Sequence, residues 1–183
     1  MGFLSVSEIS GLDLGLTIAG AILCLLSYAL RLAYHVARYT REREIVGFRL
    51  LVAVITLGYL GWGYWSAADP VKMALPRTLA LAVGIPLTAA GLALFVLTEL
   101  RHGGAGKHEE LITTGIYRRV RHPMYIGLVL LHYGYPFIYR SFTAFLSTHL
   151  WIAFIAVWTH FEEKRLERRF GERYRQYRRS TWF

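Results

Sequence analysis

The chain is nearly without cysteine. Cys24 is the only one in 183 residues, which excludes an intrachain disulfide and a thiolate zinc cluster. Acidic residues are also scarce, 12 against 21 Lys and Arg, for a formal charge of +9. No Lys or Arg precedes the first apolar run, and that run is too long for the core of a cleavable signal, so it is expected to stay in the protein as a helix. The seven histidines form no His-x-x-His-His box: His35, His132 and His149 are scattered over different segments, which argues against a di-iron oxygenase, and no metal is expected. There is no internal repeat and no low-complexity tract. What the chain does have is apolar surface. It is 55% hydrophobic, with a mean hydropathy of +0.35, where an ordinary soluble domain has about 45–50% apolar residues.

The apolar residues gather into five runs, at 12–34, 45–67, 78–98, 124–139 and 142–160. Each approaches the roughly 20 residues that cross a hydrocarbon core of about 30 Å. The expected fold is therefore an all-α integral membrane protein with about five transmembrane helices. The fourth run is short and carries His132, Gly134 and Pro136, so a kinked, tilted or buried segment fits it, and four crossings with one partly inserted segment is the alternative. A single membrane domain is expected over 1–183, with 1–98 a three-helix scaffold and 99–183 the half that carries the chemistry.

The distribution of positive charge argues against a nucleic-acid partner, because the basic residues lie in alternate loops. Arg38, Arg41, Arg43 and Arg49 stand between the first two runs. Arg101, Lys107, Arg118, Arg119 and Arg121 stand between the third and fourth, and more follow from Lys164 to Arg179. The intervening loops hold only Lys72, Arg77 and Arg140, and the N-terminal stretch has Glu8 and Asp13. The positive-inside bias then puts the N-terminus outside and the C-terminus in the cytoplasm, in the inner or plasma membrane of a bacterium.

Within the third run Gly84, Pro86 and Gly91 permit a kink or a close helix approach, and Gly103-Gly104-Ala105-Gly106 after it reads as a hinge or connecting loop. In the tail Leu166, Phe170, Tyr174 and Tyr177 form an apolar stripe at helical spacing among Arg and Lys, suited to the headgroup boundary. Gly171 should break or bend that helix.

Two places combine polar groups with the end of an apolar run. Arg121-His122-Pro123 lies at the mouth of the fourth, where proline fits a first helical turn and backbone N–H groups face outward to an anion such as a cofactor carboxylate. His122 can donate a hydrogen bond, Tyr117 and Tyr125 offer hydroxyls and flat rings, and Gly115 and Gly127 let a ligand or backbone come close. Glu162-Glu163 ends the fifth run, where carboxylates are costly unless solvated, paired or functional. Plainer readings stand beside these: Arg121 and the tyrosines as interface anchors, and the glutamates paired with Arg165, Arg168 or Arg169 on their own helix.

Taken together, Gly115-Ile116-Tyr117, then Arg121-His122-Pro123-Met124-Tyr125 and Gly127, then Glu162-Glu163 with Leu166, Phe170-Gly171, Tyr174 and Tyr177, resemble the isoprenylcysteine carboxyl methyltransferase and phospholipid methyltransferase family. The resemblance implies a helical membrane methyltransferase using S-adenosylmethionine, with a cytoplasmic pocket built by the C-terminal half. It places the cofactor on Leu111, Ile112, Gly115, Tyr117, His122, Pro123, Met124, Tyr125 and Glu162, with Glu109 and Glu110 at neighbouring positions but of poorly matching type. Arg121 is expected to be structural or electrostatic. The implied partners are a lipophilic methyl acceptor and membrane lipid; the oligomeric state is left open. In carboxyl-methylating relatives an arginine precedes the cofactor glutamate and positions the acceptor, whereas the corresponding stretch here is Val157-Trp158-Thr159-His160. His160 is a partial substitute, or the acceptor is an amine or another lipid group.

Methyl transfer from a sulfonium is an in-line displacement, so such an enzyme chiefly aligns its reactants and excludes water. A carboxylate acceptor, as on an isoprenylcysteine, needs no base. An ammonium acceptor, as in phospholipid or small-amine N-methylation, must lose a proton, and His122, His160 or Glu162 are the candidates to take it. Two further readings remain at this stage: a sterol-type reductase using a nicotinamide dinucleotide, and a non-enzymatic transporter or scaffold.

Overall fold

A computed structural model describes residues 4–6, 11–41, 48–102 and 110–183. The hinge at 103–106, Lys107, Glu109, Arg43 and Glu8 lie outside the described residues. Five long helices stand where the five apolar runs predict them: α1 (Gly11–Arg41), α2 (Phe48–Ala68), α3 (Arg77–His102), α4 (Pro123–Tyr139) and α5 (Phe142–Phe170). A short α6 (Glu172–Ser180) follows, and Gly115–Arg118 forms one 3-10 turn. A short antiparallel pair, β1 (Leu4–Val6) with β2 (Val71–Met73), in which Leu4 faces Met73, has no counterpart among the expected elements.

Among the described residues, three helical segments are long and apolar enough to cross a membrane: Leu14–Tyr34, Arg77–Thr98 and Phe142–Phe170. The apolar part of α5 ends near His160, and the seven charged side chains from Glu162 to Arg169 extend beyond it. α4 has 17 residues, a rise of about 26 Å at roughly 1.5 Å per residue, just under the hydrocarbon thickness. Large apolar side chains face outward, among them Ile22 and Leu26 on α1, Leu60 on α2 and Leu97 on α3. Such a surface suits lipid rather than water, and the protein is an all-α membrane protein.

The helices pack as two antiparallel pairs, α1 with α2 and α3 with α4, and α5 closes against them. By packing, α3 thus goes with the C-terminal half of the chain. Small residues let backbones meet. A Cβ at Gly91 would stand 2.6 Å from the Gly127 carbonyl oxygen, and one at Gly84 would stand 2.8 Å from that of Gly134, so neither position accepts a side chain. These two contacts, seven residues apart on each helix, fix α4 along α3.

The core is aromatic: Tyr28, Trp62, Tyr125, Trp151 and Trp158 are buried together with Cys24, Leu128 and Ile155. His132 is fully buried among them. Its Nδ1 lies 2.7 Å from the Leu128 carbonyl and so carries the proton, leaving Nε2 to accept from the Tyr28 hydroxyl at 3.0 Å. At one end of the bundle the buried Asp69 carboxylate accepts from the Ser141 hydroxyl, the Thr143 amide and hydroxyl, and the Val71 amide. This ties the α2–β2 junction to the start of α5. The opposite end, where α3 and α5 finish and α4 begins, carries the candidate site.

Candidate active site

Pro123 opens α4 because the first helical turn needs no N–H there, and His122 precedes it as the N-cap. α5 delivers Glu162 and Glu163 to the same end of the bundle. At Gly171 the backbone takes φ 54° and ψ −128°, a conformation that side chains rarely adopt, and it is there that α5 stops and α6 turns back. The Tyr177 hydroxyl then donates to the Tyr117 carbonyl at 2.6 Å, and Trp182 pairs with Val120. The tail thereby closes over the loop that leads into α4.

These elements border a cleft that is open to solvent. Leu111, Ile112, Tyr117, His122, Met124, Tyr125 and Glu162 all line it, so seven of the sequence-predicted site residues converge. The Tyr125 hydroxyl donates to a Glu162 carboxylate oxygen at 2.6 Å, joining α4 to α5 across the floor. The His122 ring stacks on that of Tyr125 with its Nδ1 3.9 Å from Glu162 and its Nε2 3.4 Å from Glu163.

Glu163 has a different surrounding. Arg121 Nε meets it at 2.9 Å and Arg178 at 3.6 Å, and it does not line the cleft. The His122 hydrogen bond, with the Arg121 guanidinium beside it, holds its carboxyl down at about 2, well below the usual carboxylate range. Arg121 also reaches the Thr181 carbonyl at 2.9 Å, so it locks the tail to the α4 mouth, and it lines the cleft as well. Glu163 is thus paired across elements, with groups from the α4 mouth and from α6.

Three predicted positions are not brought into the cleft. His160 is exposed, and its ring packs beside that of Phe161; two residues before Glu162, it is turned about 200° around the helix and faces away. Pro123 is fully buried under the mouth, and Gly115, at φ 63°, faces the Arg101 guanidinium instead. The helix N-terminus is also less open than the sequence suggests. The amides of Arg121 and His122 both point to the Phe183 carbonyl, at 2.6 and 3.2 Å.

Leu166, Phe170, Tyr174 and Tyr177, which suit the headgroup boundary and also belong to the family motif, line the cleft together with Arg165, Arg169 and Glu110, none of which the sequence places at the cofactor. The signal was present. Positions 162, 165, 166, 169 and 170 follow the i, i+3, i+4, i+7, i+8 pattern of one helical face, so any ligand at Glu162 must meet the others. Tyr174 is fully buried and its hydroxyl has no hydrogen-bond partner among the described residues. Burial, with Glu163 nearby, pushes that phenol well above its usual range. A ligand polar group in the cleft would satisfy this hydroxyl.

No curated protein and no solved structure matches the chain. A family model described as phospholipid methyltransferase matches residues 79–173, from the start of α3 to the start of α6 and more than half of the chain. That segment carries the Arg121-His122-Pro123 mouth, Glu162 and most of the lining of the cleft, and on this match the chain belongs to the phospholipid methyltransferase family of membrane methyltransferases.

Proposed function

We propose that the protein transfers the methyl group of S-adenosylmethionine to a lipophilic acceptor, an isoprenylcysteine-like carboxylate. The observation that carries this is the meeting of His122, Tyr125 and Glu162, from two segments some forty residues apart, on the wall of one cleft at the end of an apolar bundle. Bound there, the cofactor supplies an electrophilic methyl group on a sulfonium. The chain provides the rest. Glu162 offers a carboxylate to the positive or hydroxyl-bearing part of the ligand, Tyr117, Tyr125 and Phe170 offer ring faces, and Arg165 and Arg169 bring positive charge toward a carboxylate. The buried Tyr174 hydroxyl and the residue types in the cleft fit such a nucleoside. Leu111, Ile112 and Leu166 exclude water from the path of an in-line displacement.

A second reading, N-methylation of a phospholipid, is favoured by the description of the matching family. An ammonium acceptor must first lose a proton, and of the predicted proton acceptors His122 and Glu162 line the cleft whereas His160 does not. In either case the cleft faces the cytoplasm. Arg101, Arg118, Arg119, Arg165, Arg168 and Arg169 stand at its end of the bundle and Lys72 and Arg140 at the other, in the sense of the positive-inside bias.

The test is calorimetric titration of the purified protein with S-adenosylmethionine. Saturable binding that weakens at least 30-fold in Glu162→Ala is the expected result. Equal binding by Glu162→Ala, or none by the wild type, overturns the proposal.

A further inference from the structure

Arg31 on α1 is 8% exposed, and its Nε is fully buried with no hydrogen-bond partner among the described residues. Its guanidinium lies over two indole rings of α5, 4.8 Å from the centre of Trp151 and 4.7 Å from that of Trp158. No carboxylate among the described residues pairs with it. Asp69, the other buried charge, is held by Ser141, Thr143 and Val71 at the far end of the bundle. The Tyr59 hydroxyl of α2 is buried beside Arg31 and is a neutral group, so it leaves the charge of Arg31 without a counter-ion.

Two ring faces replace only part of the hydration that a cation loses on burial, so a charge left in this state within a membrane bundle is poised for an anion. The place of Arg31 indicates which anion. Trp158 precedes Glu162 by four residues on the same face of α5, a rise of about 6 Å. Tyr125, which binds Glu162, also belongs to the aromatic cluster that holds Trp158. Arg31 therefore stands about one helical turn beneath the floor of the cleft, walled by Tyr28, Trp151 and Trp158 and by outward-facing apolar helices. A small hydrated anion would have to shed its water to enter, whereas an anion carried on a long apolar chain arrives through lipid.

We propose that Arg31 receives the oxyanion of the lipid acceptor and so positions the acceptor beneath the cleft. This rests on the methyltransferase reading of the site above it. The same chemistry serves two acceptors. The carboxylate of a prenylated thioacid would present its own oxygen upward, and the phosphodiester of a phosphatidylethanolamine would let the amine, two carbons further on, reach into the cleft.

Trp151 and Trp158 report on the site directly through their fluorescence. Detergent-solubilised protein is titrated with S-farnesylthioacetic acid, with its uncharged carboxamide, and with phosphatidyl-N-methylethanolamine, in wild type, Arg31→Met and Arg31→Lys, and S-adenosylmethionine affinity is measured alongside. The expected result is saturable quenching by at least one anionic probe, at least 20-fold weaker in Arg31→Met and intermediate in Arg31→Lys, with cofactor affinity changed less than threefold. Quenching by the acid alone assigns a carboxylate, and quenching by the phospholipid alone assigns a phosphodiester. If the methionine variant fails to fold, the lysine variant decides, because it must bind the acid or the phospholipid more weakly than the wild type does while cofactor affinity stays within threefold. Equal binding of acid and carboxamide with no response to the phospholipid, or an anionic probe bound equally by wild type and Arg31→Met, overturns the role of Arg31. If cofactor binding is intact in that outcome, the methyltransferase reading survives it; loss of cofactor binding by the wild type would instead remove that reading.

Discussion

Glu162 and Glu163 are adjacent in sequence, and because neighbouring helical residues diverge by about 100° they meet different surroundings. Glu162 faces the cleft with Tyr125, while Glu163 is 14% exposed in its side chain and gripped by Arg121, His122 and Arg178. One carboxylate lines the cleft and the other holds the tail to the mouth of α4. Because the Glu163 carboxyl is held near 2 against an ordinary 4.5, its pairing stabilises the fold, by less than the full shift would give because solvent screens the pair. The sign follows from the depressed value: the stabilisation is fully present above about pH 4.5 and is lost as pH falls toward 2. Thermal midpoints in detergent should therefore drop between pH 5 and pH 3 in the wild type. They should start lower and drop less in Glu163→Gln. A parallel drop in both proteins would show that other groups govern the acid limb.

Helix pairing depends on the absence of side chains at a few positions. α3 and α4 approach through Gly84 with Gly134 and Gly91 with Gly127, and through these contacts α3 fixes the height and rotation of α4, and with it His122 and Tyr125. Backbone cannot yield as a flexible side chain can. Gly91→Leu should cost about 1–3 kcal/mol or more through overpacking, and it should weaken cofactor binding although Gly91 lies outside the cleft. Gly15→Leu on α1 is the control, because a Cβ there meets nothing within 4 Å. Differential scanning fluorimetry with and without S-adenosylmethionine checks both variants. A Gly91→Leu protein as stable and as responsive as Gly15→Leu would refute the backbone contact.

The element plan was legible in the chain because long apolar runs separated by charged loops leave little choice but helices, and Gly171 announced the break before α6. The order of motifs also pointed to the half whose residues line the cleft. Less legible was anything that depends on how helices rotate against one another. The i, i+4 spacing of Leu166 and Phe170 suits a lipid-facing stripe and a cleft wall equally well, and only the turn at Gly171 folds that face inward over Glu162. Arg31 lies inside the first apolar run, and nothing local marks it until α5 places Trp151 and Trp158 against it. The capping of α5 by Asp69 joins residues over seventy positions apart, with no local signature. At the scale of the whole molecule these contacts put β2, Asp69 and Arg140 at one end of the bundle and His122, Glu162 and α6 at the other, with α4 and α5 running between them. If the cleft opens to the cytoplasm, the two ends must differ in chemical access. Cys24 is fully buried, so replacing it with alanine gives a thiol-free background, in which Ala74→Cys and Gln176→Cys place single thiols at exposed positions of the two ends. An impermeant maleimide added to intact cells should label Ala74→Cys at once and Gln176→Cys only after the membrane is permeabilised. Labelling of both in intact cells would mean that the chain does not separate its ends across the bilayer, and the reverse order would turn the cleft outward, away from the cytoplasmic face assigned to it.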